Sequence, residues 1–295
     1  MEIDKQVTTI QVKSALHKVK GNFPFNWDLN VYRGCGHGCV YCYALYSHDY
    51  LKPNEDFYGN LYVKENLAEV LDKEFSKKSW KGERVNLGGV TDSYQPLEKS
   101  VKIMPDILKV FIKHRNPLTI STKSDLILRD IVLYERLASL TTVNISVTIT
   151  TPDESVRKLI EPFGAKSIDR FQVLKEFAKI SVSRGLHLMP VIPTLTDKYD
   201  DLEQLFLKAA ESHVDYLLTG KLYLRGKTRP RFIDFMRTRY PELFREFSRI
   251  FTHEESKREY SQKLYEKIGL LRRKYTIKST YKQPVTEVYG QQSLF

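Results

Sequence analysis

The chain has 295 residues, of which 28% are charged and 12% aromatic, so it can bury a full core and its composition excludes a disordered protein. The first ten residues contain two acids and no apolar run, and no stretch of about 18 apolar residues occurs anywhere in the sequence. We therefore expect no secretory signal, no membrane span and a cytoplasmic location.

The excess positive charge is concentrated in one C-terminal segment. Residues 221–282 contain 18 Lys and Arg against 7 Asp and Glu, a surplus that equals the formal net charge of +11 of the whole chain. A basic segment of this kind predicts a polyanionic partner such as nucleic acid. The alternative is a solvated helical surface that happens to be rich in Lys and Arg.

Short apolar runs alternate with longer segments of helical periodicity through most of the chain. The predicted strands are Trp27–Tyr32, Arg84–Leu87, Leu118–Ser121, Val143–Thr148, Leu186–Val191 and Tyr216–Leu218. The predicted helices between them are Leu67–Phe75, Val101–Lys113, Leu128–Ser139, Ile168–Ser183 and Leu202–Ser212. This alternation predicts an α/β fold with a parallel sheet. Six such units predict a partial (β/α)6 TIM-type barrel, because a closed barrel has eight.

The periodicity becomes purely helical after Gly220, which predicts a helical C-terminal extension. We accordingly divide the chain into four regions. They are a lead-in at residues 1–25, the partial barrel at 26–220, the basic helical extension at 221–282 and a tail at 283–295.

All three cysteines of the chain, Cys35, Cys39 and Cys42, lie within eight positions of one glycine-rich loop. An odd, clustered set of thiols favours metal chemistry in a reducing compartment over disulfides. Three thiolates on such a loop can bind one face of an iron–sulfur cluster and leave one iron open. The alternatives are a zinc site that takes His37 as its fourth ligand, and buried cysteines without a metal.

The spacing C-x3-C-x-aromatic-C, with Tyr41 as the aromatic residue, resembles the signature of the radical S-adenosylmethionine (SAM) superfamily. The segment YRGCGHGCVYCYA together with the later TDSYQP resembles the spore photoproduct lyase-like branch, also described as DNA repair photolyase. The resemblance extends from about Asn30 to Leu224. It implies a [4Fe-4S] cluster and SAM as cofactors, with SAM chelated by the open iron and cleaved to a 5′-deoxyadenosyl radical.

The resemblance also implies roles for individual residues around SAM. Tyr41 would contact the adenine, and the element Gly88-Gly89-Val90-Thr91-Asp92 would bind the methionine amino group, with Gly88, Gly89, Thr91 and Asp92 as contacts. Lys123 would meet the carboxylate. The remaining predicted contacts are Ser146, Thr148, Arg170 and Pro193, and Asp92, Tyr94 and Gln95 are expected to face the substrate.

Each of these assignments has a structural alternative. Lys123 could be a surface lysine, Ser146 a satisfied core hydroxyl, and Asp92 a helix cap. Arg170 could bind a carboxylate or phosphate, or it could pair with Glu161.

Spore photoproduct lyase is understood to use a cysteine outside the cluster as a hydrogen-atom donor, and this chain has no further cysteine. Tyr94 is the predicted substitute.

Two C-terminal features suggest partners. Arg225, Lys227, Arg229 and Arg231 precede the predicted helices in a short loop and are candidate phosphate contacts. The final Gln291, Leu294 and Phe295 resemble short peptides with which repair proteins dock on sliding clamps.

The combined interpretation is a radical SAM enzyme, of the lyase class, that repairs or modifies DNA and receives electrons from a donor such as ferredoxin or flavodoxin. One alternative is a radical SAM enzyme acting on RNA, a peptide or a small molecule. The other is a clamp-tethered nucleic-acid-binding protein with a structural cluster.

Overall fold

Strands and helices alternate along the chain in the computed structural model, which describes residues 6–21, 23–50 and 55–281. The strands are β1 (Gln6–Ile10), β2 (Leu16–Lys18), β3 (Trp27–Leu29), β4 (Tyr32–Arg33), β5 (Asn60–Lys64), β6 (Val85–Leu87), β7 (Leu118–Thr122), β8 (Val143–Thr148), β9 (Ser183–Val191) and β10 (Tyr216–Lys221). The α-helices are α1 (Leu67–Phe75), α2 (Glu98–Val101), α3 (Met104–His114), α4 (Ile131–Ala138), α5 (Glu154–Ile160), α6 (Ser167–Phe177), α7 (Tyr199–Glu211), α8 (Thr228–Arg239), α9 (Pro241–Thr252) and α10 (Glu254–Tyr275). Two 3₁₀ helices span Tyr43–Tyr50 and Leu126–Asp130.

The main sheet has seven strands within the described ranges, in the order β10-β9-β8-β7-β6-β3-β2. All pairings from β3 to β10 are parallel, and β2 adds one antiparallel strand at the edge. The six parallel strands follow one another in chain order, which confirms the predicted α/β fold with six strand–helix units. Within the part of the chain that the structure describes, β10 and β2 do not pair, so the sheet remains open.

The two faces of this sheet differ in polarity because side chains alternate along a strand. One face carries Ile120, Ile145 and Val147, and it packs against buried residues of the flanking helices such as Leu108 and Phe177. The opposite face carries hydroxyl and amide side chains on neighbouring strands. We call this opposite face the polar face of the sheet. It is the face on which a polar cofactor can be bound.

Most predicted elements end within a few residues of their observed bounds, and two depart further from the structure. The predicted strand Trp27–Tyr32 is divided into β3 and β4, and β4 joins β5 and β1 in a separate three-stranded sheet. The division falls at Asn30, whose side-chain carbonyl accepts the backbone N–H groups of Val90 and Thr91 at 2.8 and 3.2 Å. The predicted helix Ile168–Ser183 is longer than the observed helix, which ends at Phe177. Ser183, predicted as the last residue of the helix, is the first residue of β9.

The C-terminal extension is helical, as predicted, and it packs on the barrel region. Leu264, Ile268 and Leu271 of α10 belong to the main core. Phe232 of α8 and Phe247 of α9 belong to a second apolar cluster that includes Cys39 and Tyr41. Helices α8 and α9 therefore share an apolar cluster with the cysteine loop, whereas α10 packs on the main core.

None of the helices in the described residues is long and apolar enough to cross a membrane. The predicted clamp-binding residues Gln291, Leu294 and Phe295 lie outside the described residues.

Candidate active site

The cysteine loop begins directly after β4, and glycine is required at two of its positions. Gly34 and Gly38 adopt φ values of +76° and +71°, in the left-handed region that favours glycine. A Cβ atom on Gly34 would also collide with the backbone carbonyl of Asn60. These two glycines allow the loop to turn tightly between its three cysteines.

The thiols of Cys35, Cys39 and Cys42 form no disulfide, and the first two are buried. They lie close enough to influence one another electrostatically, although burial is the larger cause that raises the pKa of each thiol to about 12. Thiolates at this site therefore need a bound cation to be stable. Three such thiols on a glycine loop fit a [4Fe-4S] cluster with one iron left open. Among the described residues, no group of three or more His, Cys, Asp or Glu side chains is arranged to hold a single metal ion.

Side chains from distant elements hold the backbone of this loop. Gln95 donates to the carbonyl of Gly34 at 3.1 Å and accepts the N–H of Gly36 at 2.6 Å. Its side chain is fully buried. The expectation that Gln95 faces the substrate is therefore corrected, because both ends of its amide bind the cysteine loop.

His37 is also part of the support for the loop. Its Nδ1 lies 3.1 Å from the carbonyl oxygen of Phe163, and its Nε2 lies 3.0 Å from Oδ2 of Asp92. Both ring nitrogens thus have partners within the protein. This arrangement argues against His37 as the fourth ligand of a zinc site.

Protein groups occupy the hydrogen-bond acceptor positions of the Asp92 carboxylate. It also accepts the Thr122 hydroxyl and the backbone N–H groups of Lys123 and Tyr94, each at 2.8 Å. Burial alone would raise the pKa of Asp92, but the interaction with His37 and these hydrogen bonds hold it well below its usual range. The predicted role of Asp92 at the SAM amino group is corrected accordingly: its side chain joins the cysteine loop to the end of β7.

Tyr94 lies in the main hydrophobic core and is fully buried. Its hydroxyl donates to Asp130 at 2.9 Å and lies 3.2 Å from the hydroxyl of Tyr134. The expectation that Tyr94 is the hydrogen-atom donor is therefore corrected. Its neighbours are core side chains, so we assign it no catalytic role.

The Gly88-Gly89 element follows β6 and is shaped by Asp28 of β3. Gly88 has a φ of +85°, and a Cβ atom on Gly89 would collide with the Asp28 carboxylate. The N–H of Gly89 donates to Asp28 at 3.1 Å, and the Tyr43 hydroxyl donates to the carbonyl of Gly89. The side chain of Thr91 is buried. The two glycines thus present partly exposed backbone beside the cysteine loop, where the resemblance predicts the SAM amino group.

Lys123 follows β7 at the same edge of the sheet. Its ammonium lies 6.0 Å from the ring centroid of Tyr41. Burial opposes its charge, but the pKa of Lys123 is raised because Cys39, Glu161 and Asp92 lie nearby. The side chain is partly exposed. These surroundings fit the predicted contact with a carboxylate.

Arg170 is occupied by a structural ion pair. Its Nη2 lies 2.5 Å from Oε2 of Glu161, and both side chains are fully buried. Its Nη1 donates to the carbonyl of Thr148 at 2.8 Å. The Tyr41 hydroxyl donates to the other Glu161 oxygen. The predicted SAM contact through Arg170 is therefore corrected: Arg170 pairs with Glu161, the alternative considered for it. Glu161 in turn holds the hydroxyl of Tyr41.

The polar face of the sheet contains the other predicted hydroxyls. Ser146 is buried in a network in which its hydroxyl lies 2.8 Å from that of Tyr216 and 3.2 Å from the Asn144 amide nitrogen. Ser146 is therefore a satisfied core hydroxyl, the alternative considered for it. Thr148 lies two residues closer to the carboxyl end of β8, and its hydroxyl oxygen is 3.4 Å from that of Ser121.

His187 on β9 lies beside Ser121, and the sequence analysis did not predict it as a site residue. Its Nδ1 lies 3.1 Å from the Ser121 hydroxyl, whereas its buried Nε2 has no hydrogen-bond partner among the described residues. Burial, followed by the charge of Lys123, lowers the pKa of His187 to about 4, so the ring is neutral at physiological pH. A polar residue between the apolar residues Leu186 and Leu188 was the available signal.

The remaining predicted residues lie on segments that follow β9 and β10. Pro193 is buried in the turn after β9. The basic residues Arg225, Lys227, Arg229 and Arg231 are exposed at the start of α8. In their midst, the Thr228 hydroxyl donates to the carbonyl of Cys42 at 2.6 Å, and the Arg231 guanidinium lies 4.6 Å from the Tyr58 ring centroid.

Comparisons with known proteins agree with this geometry. The Radical SAM superfamily model matches residues 29–206. An uncharacterized protein of Mycobacterium tuberculosis is 33% identical over 243 residues, which are 81% of this chain and 72% of that protein. An uncharacterized protein of Methanocaldococcus jannaschii is 32% identical over 194 residues, covering 63% of this chain and 71% of that protein.

A solved structure has a similar fold. It is a mutant of spore photoproduct lyase with bound AdoMet and dinucleoside spore photoproduct, with a TM-score of 0.57 and 14% identity. The match covers 80% of this chain but 66% of the lyase, and at this identity it shows the fold alone. The family model, in contrast, spans more than half of the chain and includes all three cysteines of the loop. The chain therefore belongs to the radical SAM superfamily, whose enzymes use a [4Fe-4S] cluster and SAM.

Proposed function

We propose that this SAM-dependent radical enzyme repairs or modifies DNA, in a reaction of the lyase class. When bound, the cluster would supply the electron that splits SAM into methionine and a 5′-deoxyadenosyl radical. The residues of this chain bind the two cofactors, orient SAM and shield the site from water. Three clustered cysteines without disulfides suit a reducing cytoplasm and an electron donor such as ferredoxin or flavodoxin.

One observation carries the assignment of a nucleic-acid substrate. Thr228 lies between the exposed cations Lys227 and Arg229, and its hydroxyl binds the backbone of the cluster ligand Cys42 at 2.6 Å. A phosphate held by these cations would therefore lie beside the loop that holds the cluster. The fold shared with a lyase that binds a dinucleoside photoproduct supports the same substrate class.

SAM carries a carboxylate, which the Lys123 ammonium is proposed to bind. Lys123→Met removes the ammonium that we propose to bind the SAM carboxylate, so we expect the Kd for SAM to rise about tenfold, or about 1.4 kcal/mol. Isothermal titration of the reconstituted protein with SAM and with decarboxylated SAM measures this effect. The variant should bind decarboxylated SAM as the unmodified protein does.

Lys166→Met is the matched control, because Lys166 is an exposed lysine at the start of α6. It should leave both affinities unchanged. Equal losses of affinity for SAM and for decarboxylated SAM in Lys123→Met would show that Lys123 does not contact the carboxylate.

Neutralising the basic residues at the start of α8 tests the DNA assignment. In a variant with Arg225, Lys227, Arg229 and Arg231 all changed to Gln, we expect DNA affinity to fall and its dependence on salt to flatten. Four lost phosphate contacts reduce the slope of log K against log salt by about 3 to 4. Titrations of labelled DNA at several salt concentrations measure both quantities.

An unchanged slope would contradict the DNA assignment and favour a small molecule as the substrate class. The matched control changes four exposed cations of α10, Lys257, Arg258, Lys263 and Arg273, to Gln. It gives the same net charge, so a loss confined to the α8 variant identifies the site rather than the total charge. Clamp binding by Gln291, Leu294 and Phe295 remains a separate proposal.

A further inference from the structure

Three exposed tyrosines follow the last cluster ligand on the 3₁₀ helix Tyr43–Tyr50. Tyr43, Tyr46 and Tyr50 expose 58%, 48% and 83% of their surface, respectively. The rings of Tyr46 and Tyr50 lie edge to face, with centroids 6.3 Å apart. Exposed aromatic rings grouped in this way mark an interaction surface, because isolated rings of this size are usually at least half-buried.

A cation contacts the helix that carries these rings. Asp49, the one acid within the helix Tyr43–Tyr50, forms an ion pair with Lys227 at the start of α8. Arg225 and Arg229 flank Lys227 and are exposed. The carbonyl of Cys42 accepts the Thr228 hydroxyl, so the two segments are joined at the cluster loop itself. The tyrosines and the cations thus form one continuous surface.

We propose that this surface binds unpaired nucleotides, with Tyr46 and Tyr50 stacking on bases while Arg225, Lys227 and Arg229 contact phosphates. The inference rests on the proposed function and specifies the form of its nucleic-acid substrate. Base faces are accessible to aromatic rings where the bases are unpaired. The phosphates of the same strand carry the negative charge that Arg225, Lys227 and Arg229 attract.

The presence of both aromatic rings and cations also argues against an acidic protein as the occupant. An acidic protein would be attracted by the cations but would gain nothing specific from the faces of Tyr46 and Tyr50. A nucleic-acid strand offers both chemistries at the spacing of a nucleotide, because each base carries its own phosphate. Tyr43 is less available, since its hydroxyl is bound to the carbonyl of Gly89.

Fluorescence anisotropy on the reconstituted protein tests the inference with two DNA probes. One is a single strand of about 16 nucleotides, the upper end of the usual site size, and the other is the matching duplex. We expect Tyr46→Ala combined with Tyr50→Ala to weaken single-strand binding at least about tenfold, given typical stacking contributions. Duplex binding should change less than about twofold, because its bases are not available for stacking.

Conservative and control variants separate stacking from other effects. Tyr46→Phe combined with Tyr50→Phe keeps the rings and should retain the affinity for the single strand. Tyr265→Ala removes a comparably exposed tyrosine, 46% accessible, from α10 and should have no effect. Asp49→Asn releases Lys227 from its ion pair and should tighten binding of both probes at low salt.

The salt dependence distinguishes failure of this inference from failure of the proposed function. The alanine variants should lower affinity without changing the salt slope, whereas Arg225→Gln should reduce the slope for single strands by about 0.7. If the alanine variants bind the single strand as tightly as the unmodified protein does, the stacking surface is wrong and the DNA assignment stands. If the unmodified protein binds neither probe, both are wrong.

Discussion

Cys35→Ala is expected to abolish formation of 5′-deoxyadenosine from SAM. The loop would keep two of its three thiols, and a cluster held by two ligands is lost or rearranged. We expect the rate to fall about a thousandfold or more, which corresponds to about 4 kcal/mol of lost stabilisation of the transition state. The measurement is an anaerobic assay with dithionite and SAM after reconstitution with iron and sulfide.

Iron content and the visible absorption of the cluster provide a second measurement that does not depend on turnover. Both should decrease in Cys35→Ala, while the far-ultraviolet circular dichroism should remain that of the unmodified protein. Ser139→Ala is a control, because this exposed hydroxyl donates to the backbone carbonyl of Arg136 in the last turn of α4. Full cluster absorbance with unchanged 5′-deoxyadenosine formation in Cys35→Ala would refute the assignment of this ligand.

Glu161→Gln is expected to cause the largest loss of stability among the single changes considered. The carboxylate and the Arg170 guanidinium are both fully buried and lie 2.5 Å apart. Removing one charge leaves the other buried without compensation, which costs about 3 to 5 kcal/mol. Urea unfolding of the purified protein measures the difference as a lower midpoint at similar slope.

Two further variants test the reason for this loss. Glu259→Gln removes the carboxylate from an exposed ion pair with Lys263, and it should change the free energy of unfolding by less than about 0.5 kcal/mol. Adding Arg170→Met to Glu161→Gln should restore part of the stability, because no unpaired charge then remains buried. A double variant as unstable as the sum of its two single changes would show that the charges do not interact.

The corrected residues share one property that explains why they were misassigned. Asp92, Tyr94, Gln95 and Arg170 are polar residues near the carboxyl ends of strands, where a cofactor is expected. In the structure each is bound by protein groups: Gln95 by the cysteine loop, Arg170 by Glu161, and Tyr94 by Asp130. These residues support the protein groups around the site, whereas Lys123 and the backbone of Gly88 and Gly89 are partly exposed.

Local patterns determined the features that the sequence predicted correctly. The spacing of Cys35, Cys39 and Cys42 and the glycines between them identify the cluster loop, because all ligands lie within eight residues. The positions of the six parallel strands along the chain follow from hydrophobic periodicity, which is also a local property. The strand Val143–Thr148 and the helix Leu67–Phe75 have the predicted bounds.

Tertiary structure alone decided which partner each buried polar group takes. The Nε2 of His37 meets Asp92 across 55 positions of sequence, and the Tyr41 hydroxyl meets Glu161 across 120. Such pairs follow from how the loops at the strand ends are packed, and a single sequence carries no signal for contacts at that separation. For the same reason, the position of the α8 cations near Cys42 became visible only in the folded chain. There the Thr228 hydroxyl binds the Cys42 carbonyl, and Phe232 and Phe247 share an apolar cluster with Cys39 and Tyr41.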